Sequence, residues 1–444
     1  MRSKSNDTIK TLLGIGIGPS NLSLAALLSP LKEFSSVFFD SKKFFAWHPG
    51  MLMPNAKLQV SHLEDLVTLV DPTNPYSFVA FLANKKRLYR FIYAKFNRIL
   101  RIEFNEYLAW VSQNLSNLNF SHHVEKISFQ DNYFLLETAT KKIKGKHLVL
   151  GTGTTPSVPT WARPYLGPTV FHSQHFLENF KNFSGKRVAV IGGGQSSAEI
   201  IDAIISKSEN LPSQLYWISR RNQFQQLDES SFVYELFSPA YNEYFFNLNT
   251  EVQQKKLHEN ALANDGISVT TLTAIYQKLY ALELIEKRGK FFQLLTNYDF
   301  IGLQADRCNE TWRMTCEQRQ LNKIWNAEVD IIIFCTGYER LVPACLTDFR
   351  DRIDLHHDQF TVHNDFSIAW DGPQTHRIYV QNGARHQHGV ADTSLCLMAW
   401  RSAKIINSIA EKELYSIDDN SSAIDWNSMR VKEKYGSASV TIGR

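Results

Sequence analysis

The sequence predicts an α/β protein with two Rossmann-like dinucleotide-binding domains and a small helical lobe. The order strand, glycine-rich turn, helix, strand occurs near residue 10 and again near residue 190. The length of 444 residues also exceeds what one hydrophobic core usually serves. We predict a first nucleotide domain from residues 1–170 and 340–444, a second from 171–240 and 300–339, and a lobe at 241–299.

The first unit contains the motif Gly16-Ile17-Gly18-Pro19-Ser20-Asn21 after an apolar segment. Gly16 allows a tight turn, and Gly18 lets the backbone approach a pyrophosphate at a helix N-terminus. Asn21 stands where a third glycine is usual. Asp40 ends the next apolar segment, where an acid accepts hydrogen bonds from a ribose. A chance glycine turn is the alternative, but the position of Asp40 favours a dinucleotide site.

The second unit runs from the apolar segment 187–191 into Gly192-Gly193-Gly194-Gln195-Ser196-Ser197. Its next strand ends at Ser219-Arg220-Arg221 instead of at an acid. An acid would repel a 2′-phosphate, whereas guanidinium groups bind one, so NADPH is favoured over NADH. The alternative is that the two arginines cap a surface turn.

Three further segments complete the outline of the fold. Two strand-to-Thr-Gly turns, at 148–153 and 334–338, are typical of chain crossings between two nucleotide domains. Apolar spacing near 3.6 residues predicts helices over 241–286. The polar tail at 414–444 is expected to be poorly packed.

Composition excludes several classes of function. The net charge of +4 is small and dispersed, which does not suggest a nucleic-acid surface. Five cysteines without Cys-x-x-Cys spacing provide no dithiol centre and fit reduced thiols in a cytoplasmic protein. No metal-ligand spacing and no Gly-x-Ser-x-Gly motif occur. Glycines interrupt the apolar run at 11–30, so we expect neither a signal peptide nor a membrane span. The chemistry must then come from a bound cofactor.

Taken together, the motifs resemble those of the flavin-dependent N-hydroxylating monooxygenases of siderophore biosynthesis, which act on lysine, ornithine or diamines. The motifs that carry the resemblance are Gly16-x-Gly18-Pro19-x-Asn21, Trp47-His48-Pro49-Gly50-Met51, Asp71–Phe78, Gly192-x-Gly194-Gln195-Ser196, Thr336-Gly337-Tyr338, His388–Asp392 and Met398–Arg401. The resemblance implies FAD in the first domain, NADPH in the second, NADP⁺ retained during turnover, an amine and O2 as small-molecule partners, and a homodimer or homotetramer.

The resemblance also implies the chemistry. NADPH reduces FAD, oxygen adds at the flavin C4a to give a hydroperoxide, and a neutral amine takes the distal oxygen. An alkylammonium has a pKa of about 10.4, so an apolar pocket must lower it. Gln59 and Asn264 are the implied catalytic residues. The implied FAD contacts are Gly16, Gly18, Pro19, Asn21, Asp40, Trp47, His48, Gln59 and Asp392, and the implied NADPH contacts are Gly192, Gly194, Gln195, Ser196, Ser197, Arg220 and Arg221.

The substrate contacts implied by the resemblance differ from those of the amino-acid hydroxylases. Glu64 stands where those enzymes carry a lysine that pairs with the substrate α-carboxylate, and a carboxylate there repels a second carboxylate. Tyr234 replaces an asparagine, Cys396 replaces a serine, and Asn264 is kept. We therefore predict a diamine substrate, whose distal ammonium is held by Glu64. Putrescine and cadaverine differ by one methylene, which the sequence does not separate.

Three alternatives stay open at this point. Another cation could hold a carboxylate, giving an L-lysine N6- or L-ornithine N5-monooxygenase. Oxygenation of sulfur or ketones is a second alternative, although the Phe-x-Gly-x-x-x-His-x-x-x-Trp/Tyr signature of those enzymes is absent. A nucleotide-binding sensor without turnover is the third, and the two intact glycine motifs argue against it.

Overall fold

The computed structural model describes residues 8–180, 182–306, 310–417 and 422–426. The strands are β1 (Lys10–Ile15), β2 (Ser36–Phe39), β3 (Leu118–Asn119), β4 (Val124–Gln130), β5 (Tyr133–Thr138), β6 (Lys142–Leu150), β7 (Thr155–Pro156), β8 (Val170–His172), β9 (Arg187–Ile191), β10 (Gln214–Ser219), β11 (Phe292–Thr296), β12 (Tyr298–Asp306), β13 (Thr311–Gln318), β14 (Lys323–Val329), β15 (Ile331–Phe334), β16 (Tyr338–Glu339), β17 (Leu355–His356), β18 (Gln359–Phe360) and β19 (Ile378–Val380). The α-helices are α1 (Pro19–Leu28), α2 (Phe78–Asn84), α3 (Leu88–Ala94), α4 (Arg101–Asn114), α5 (Phe176–Asn179), α6 (Gln195–Ile205), α7 (Ser231–Tyr234), α8 (Pro239–Phe246), α9 (Thr250–Glu259), α10 (Leu262–Asp265), α11 (Val269–Tyr280), α12 (Arg385–His388) and α13 (Met398–Ala410).

The first domain is built on a sheet with the order β3-β2-β1-β6-β5-β4, and β19 also pairs with β6. Strands β3, β2, β1, β6 and β19 are parallel, whereas β4, β5 and β6 form an antiparallel meander. Helices α1 and α13 pack against each other beside the parallel strands. Because strands covered on both faces need apolar side chains on both, β1 and the end of β6 are almost continuously apolar.

The second domain is built on the parallel sheet β11-β10-β9-β15-β8. Helices α6 and α11 pack together over it and share its core. The antiparallel sheet β12-β13-β14 packs against the other side through Phe300, Leu303 and Met314. The predicted α/β class with two dinucleotide-binding domains is confirmed.

The helical lobe consists of α8, α9 and α10, and its small core includes Tyr241, Phe245 and Ala263. The helices predicted over 241–286 are therefore present. The lobe is nevertheless smaller than the predicted range 241–299. Helix α11 buries Ile275 and Leu279 in the core of the second domain, and β11 pairs with β10.

The two chain crossings between the domains lie side by side, since β7 pairs antiparallel with β16. The backbone N–H of Ser157 donates to the carbonyl of Gly337 at 3.0 Å, and the hydroxyl of Thr336 donates to the carbonyl of Ser157. Gly337 has a φ of +84°, which a side chain would strain. The two Thr-Gly turns therefore mark the domain crossings, as predicted.

The prediction of a poorly packed tail is wrong for its described residues. The Tyr415 hydroxyl donates to the Leu27 carbonyl at 2.6 Å, and the Trp426 ring packs on Tyr241 and Tyr244 of the lobe. The rest of the predicted tail, and Cys308, lie outside the described residues. The four cysteines inside them are buried and unbridged. In the part of the chain that the structure covers, no helix is long and apolar enough to cross a membrane.

Candidate active site

The first glycine turn leaves room for a ligand at the N-terminus of α1. A Cβ on Gly16 would lie 2.2 Å from the Gly151 carbonyl oxygen, so the turn requires glycine there. A Cβ on Gly18 would meet no atom within 4 Å, so open space adjoins the first turn of α1, where Pro19 occupies the first helical position. The free N–H groups of a helix N-terminus suit a phosphate.

Asp40 and Asn21 hold the first glycine turn through hydrogen bonds to its backbone. One Asp40 oxygen accepts the Ile17 N–H at 2.7 Å, and the other accepts the Lys42 N–H at 2.8 Å. The Asn21 amide donates to the carbonyls of Gly16 and Ile15 at 2.8 and 3.1 Å. The sequence predicted that both side chains contact the nucleotide. In the structure Asn21 is almost fully buried and its hydrogen bonds are made within the protein.

Asp392 also lies behind the turn, in a buried network. Arg401 is 1 % exposed and donates to an Asp392 oxygen at 2.7 Å, to the Gln381 side chain at 3.1 Å and to the Ser20 hydroxyl at 3.3 Å. The other Asp392 oxygen accepts the Ala384 N–H at 2.8 Å. The Asp392 carboxylate thus forms an ion pair with Arg401, and Arg401 in turn reaches the first glycine turn through Ser20.

The segment around Trp47 brings the imidazole of His48 to the interdomain cavity. His48 has a φ of +48° and lines the interdomain cavity, and its Trp47 neighbour packs edge-on against Phe104 at 5.7 Å. Burial, assisted by the nearby charges of Arg101 and Lys42, lowers the pKa of His48 to about 4. The imidazole is therefore neutral at physiological pH.

Gln59 carries an unsatisfied buried group. Its side-chain nitrogen is buried and has no hydrogen-bond partner among the described residues. The flanking backbone is fixed, because the Leu58 N–H donates to the Ile99 carbonyl at 3.0 Å and Lys57 pairs with Leu100. A buried amide without a partner is costly, which is the expected state of a group that awaits a polar ligand.

The second glycine turn lies on the interdomain cavity, which has a volume of about 1250 Å³. A Cβ on Gly192 would lie 2.2 Å from the Cys335 carbonyl oxygen, whereas one on Gly194 would meet only the Asp265 carbonyl at 3.9 Å. Gly192, Gly194 and Ser196 line the cavity at the N-terminus of α6. This end of the cavity can therefore take a pyrophosphate.

The two arginines after β10 line the same cavity but differ in their contacts. Arg221 donates to the carbonyl of Asp265 at 2.8 Å, and its backbone carbonyl accepts the Asn297 N–H. Arg220 is exposed and makes no hydrogen bond or ion pair with another described residue. Arg220 is thus the free guanidinium at this end of the cavity.

Two residues of the second motif have other tasks. Gln195 also lines the cavity, but its amide accepts the Ser268 N–H at 2.9 Å and donates to Glu199 at 3.1 Å. The Ser197 hydroxyl donates to the Gly194 carbonyl at 2.7 Å, and the side chain is fully buried. The side chain of Ser197 therefore bonds within the first turn of α6, and its predicted contact with NADPH stays a prediction.

An ion pair fixes the two domains against each other beside the cavity. Arg101 of α4 and Glu199 of α6 form two hydrogen bonds of 3.0 and 2.8 Å, and Arg101 also donates to the Met51 carbonyl. His172 stabilises the crossing from the other side, since its Nε2 lies 3.0 Å from the Gly337 carbonyl and its ring packs on Tyr338.

Three of the predicted substrate residues, Glu64, Cys396 and Tyr234, lie around Arg98 and its neighbours. Glu64 is close enough to Cys396 to contribute to raising the pKa of its buried thiol to about 12, although burial is the larger cause. Burial raises the pKa of Glu64, whereas the Ser61 N–H at 2.6 Å and the charge of Arg98 lower it. Arg98 in turn donates to the Tyr234 hydroxyl at 2.9 Å.

Asn264, the fourth predicted substrate residue, lines the cavity. Its amide donates to the Thr393 hydroxyl at 2.7 Å, and both residues line the cavity. The structure therefore brings Glu64, Cys396 and Tyr234 into one neighbourhood, and Asn264 near the cleft. In the ranges that the structure describes, no cluster of His, Cys, Asp or Glu could hold a metal ion.

Several residues of the site were not predicted from the sequence. Arg98, Gln381 and Arg101 carry no motif, and only the folded chain shows that they contact the predicted residues. Arg401 stands inside a quoted motif and could have been proposed as the partner of the nearby Asp392.

Comparison with known proteins adds independent findings. A family model described as L-lysine 6-monooxygenase/L-ornithine 5-monooxygenase matches residues 8–340. An L-lysine N6-monooxygenase of Escherichia coli is 35% identical over 94% of this chain and 98% of its own length. A putrescine N-hydroxylase of Acinetobacter baumannii is 32% identical over 92% of each chain. The FAD-bound cadaverine monooxygenase of the desferrioxamine biosynthetic pathway from Erwinia amylovora has a TM-score of 0.87 at 30% identity, over 93% of this chain and 96% of that one.

Proposed function

We propose that this chain, which belongs to the L-lysine 6-monooxygenase/L-ornithine 5-monooxygenase family, hydroxylates one terminal amine of an aliphatic diamine, putrescine or cadaverine. The chain is an NADPH-dependent flavin N-monooxygenase of siderophore biosynthesis, and its cofactors are FAD and NADPH. The names of two relatives, a putrescine N-hydroxylase and a cadaverine monooxygenase, support the diamine class.

The observation that carries the proposal is the state of Glu64. In the described part of the chain, no basic side chain lies within ion-pair distance of this carboxylate, and its one hydrogen bond comes from the Ser61 N–H. A half-buried carboxylate without a counter-ion attracts a cation and repels an α-carboxylate. The distal ammonium of a diamine supplies that cation.

The residues of the first domain fit FAD. Gly16 and Gly18 leave the N-terminus of α1 open for the pyrophosphate, and the unpaired amide of Gln59 can donate to a polar atom of the flavin. Asn21, Asp40 and Asp392 position this turn through their bonds to backbone N–H and C=O groups and to Arg401. When bound and reduced, FAD supplies the oxygen-activating chemistry that no side chain provides.

The second domain fits NADPH. The N-terminus of α6, with Gly192, Gly194 and Ser196, can hold the pyrophosphate, and Arg220 and Arg221 can hold the 2′-phosphate. Neutral His48 lines the same cavity as the second glycine turn. The ion pair of Arg101 and Glu199 holds the two cofactor domains in one orientation.

The amine must reach the reaction centre without its proton. Glu64 anchors the distal ammonium of the diamine. The other amine of the diamine then lies in the less polar interior, where the neutral form of an amine is favoured. Asn264, held by Thr393, lines the cleft and can orient the reactive nitrogen. Anchoring and orientation are thus separate tasks of Glu64 and Asn264.

The test is an assay of hydroxylamine formation alongside NADPH oxidation with putrescine, cadaverine, L-ornithine and L-lysine. The proposal expects hydroxylamine from the diamines, and their ratio of kcat/KM measures the pocket length. Hydroxylamine from lysine or ornithine alone would overturn the diamine assignment and leave the family intact. The relative from Escherichia coli, an L-lysine N6-monooxygenase, makes lysine the comparison that matters most.

A further inference from the structure

Arg98 is fixed at the edge of the substrate residues by its backbone. It lies in the short connection between α3 and α4, and the next two residues pair with the segment that carries Gln59. The Leu58 N–H donates to the Ile99 carbonyl at 3.0 Å. The position of Arg98 is therefore tied to the wall of the candidate flavin site.

The side chain of Arg98 contacts α7 and the segment that precedes it. One nitrogen donates to the Tyr234 hydroxyl of α7 at 2.9 Å, and another lies 3.3 Å from an Oε1 of Glu229. The Arg98 side chain is only 22% exposed and that of Glu229 28%. Partly desolvated charges at this distance interact more strongly than surface pairs do.

The local charges do not balance. Two carboxylates, Glu64 and Glu229, lie near one guanidinium, Arg98, whose direct ion pair is with Glu229. Arg98 also acts on Glu64 through space, because its charge lowers the pKa of that carboxyl against the effect of burial. The group therefore carries one excess negative charge when both carboxylates are ionised.

We infer that Arg98 is a specificity-determining residue, which neutralises Glu229 and holds Tyr234, so that the pocket keeps one unbalanced carboxylate for one distal ammonium. This inference deepens the proposed diamine specificity and rests on it. A pocket with a net charge of zero would lose its preference for a cation. A free Arg98 would instead bind an α-carboxylate, the group that distinguishes lysine from cadaverine.

The test first changes the net charge of Glu64, Glu229 and Arg98 and then restores it with a second substitution. Glu229→Gln frees Arg98, and we expect the KM for the preferred diamine to rise about tenfold while kcat changes less than about twofold. The double variant Arg98→Gln/Glu229→Gln has the original net charge, and its KM should return to within about threefold of the parent value. A loss of packing would not be rescued by a second substitution in this way.

Two controls separate charge from structure. Tyr234→Phe removes the hydrogen bond to Arg98 without changing any charge, so any rise in its KM measures the positioning of Arg98 and Tyr234 apart from the charge balance. Asp348→Asn breaks an exposed ion pair with Lys126 and should leave all constants unchanged. Flavin absorbance and the melting temperature show that each variant is folded.

The inference is overturned if Glu229→Gln binds the diamine as the parent does, or if the double variant is no better than the single one. Failure of the proposed function has a different signature, because the parent enzyme would then hydroxylate only an amino acid. In that case a lower KM for lysine in Glu229→Gln would support the charge-setting role of Arg98, and an unchanged KM would refute it.

Discussion

At the residue scale, the carboxylate of Glu64 combines desolvation with the lack of a direct counter-ion. Burial raises its pKa, and the Ser61 N–H and the charge of Arg98 counteract that rise only in part. A bound ammonium would favour the ionised form further, since an opposite charge at short range stabilises a carboxylate. Substrate binding and ionisation of Glu64 should therefore support each other.

Glu64→Gln tests this anchoring directly. The amide keeps the shape of the side chain but removes its charge, so we expect the KM for putrescine or cadaverine to rise by about 10- to 100-fold, which corresponds to roughly 1.5–3 kcal/mol. The measurement is steady-state hydroxylamine formation. Glu137→Gln, which breaks a partly exposed ion pair with Lys142 far from the substrate residues in the sequence, is the matched control and should leave the KM unchanged. An unchanged KM in Glu64→Gln would sink the anchoring role.

Arg220 supports a second prediction at the same scale. This guanidinium is exposed and makes no polar contact with another described residue, so its removal should cost nothing within the protein. We expect Arg220→Gln to raise the KM for NADPH by about 10-fold or more and to leave the KM for NADH nearly unchanged. Flavin reduction followed with each nucleotide measures both values. An equal effect on NADH would show that Arg220 does not recognise the 2′-phosphate. Arg90→Gln, at an exposed position away from the cavity, is the control.

Single residues also show where prediction from the sequence succeeds and where it stops. The glycines and Arg220 could be singled out because their roles follow from the backbone turn and from their place at a strand end. Gly192, Gly194 and Arg220 line the interdomain cavity, and open space adjoins Gly18. A motif does not indicate which way a polar side chain points. Asn21 and Asp392 were predicted to contact FAD, yet their polar atoms bond within the protein. The contact of Arg98 with Tyr234 joins residues that are 136 positions apart.

At the scale of elements, a buried network around one ion pair links α13 to the start of α1. Arg401 of α13 is bonded to Asp392, and both are almost fully buried. Gln381, directly after β19, links Arg401 to Ser20 and Asn21 at the start of α1. The orientation of the first glycine turn thus depends on residues about 380 positions later.

Asp392→Asn should therefore affect both stability and FAD binding. The substitution leaves the Arg401 guanidinium buried without a counter-ion, for which we expect a loss of about 3–5 kcal/mol in the free energy of unfolding. FAD retention during gel filtration should fall as well, because the turn that holds the pyrophosphate loses its support. Denaturant unfolding and flavin absorbance measure the two effects. Asp371→Asn, which disturbs an exposed pair with Arg352, should cost less than about 1 kcal/mol. Equal losses in the two variants would contradict a special role of the buried pair.

The elements themselves were largely predictable, with one instructive exception. Both strand–turn–helix units were predicted, because an apolar strand followed by a glycine turn and a helix is determined by the local sequence. The end of the lobe was not, since α11 has the same apolar period as the lobe helices. Ile275 and Leu279 on its buried face pack in the core of the second domain. The spacing of apolar residues alone does not show which core a helix joins.

At the scale of the whole molecule, neutral buried histidines make stability depend on pH. His147 lies in the first domain and His172 in the second, and both are nearly inaccessible. Burial lowers the pKa of His147 to about 3 and that of His172 to about 4. The hydrogen bonds agree with neutral rings, because the Nδ1 atoms accept N–H groups from Arg377 and Gln174 at 3.1 and 3.2 Å.

These shifts fix the sign of the dependence. Well above pH 6.5 both the native and the unfolded state hold the two imidazoles neutral, so the histidines contribute no pH dependence there. As the pH falls from about 6.5 toward 4, the unfolded chain takes up protons that the native state refuses, and the free energy of unfolding decreases. Each histidine should cost roughly 1–2 kcal/mol between pH 7 and pH 5.

We expect His147→Gln to be less stable than the parent at pH 7, because packing is lost, but to lose roughly 1–2 kcal/mol less between pH 7 and pH 5. Urea unfolding at both pH values and a fixed FAD concentration measures the difference, and His258→Gln, at an exposed position of α9, serves as the control. If His147→Gln and the control keep the same pH dependence as the parent, a neutral buried His147 is not a source of acid sensitivity.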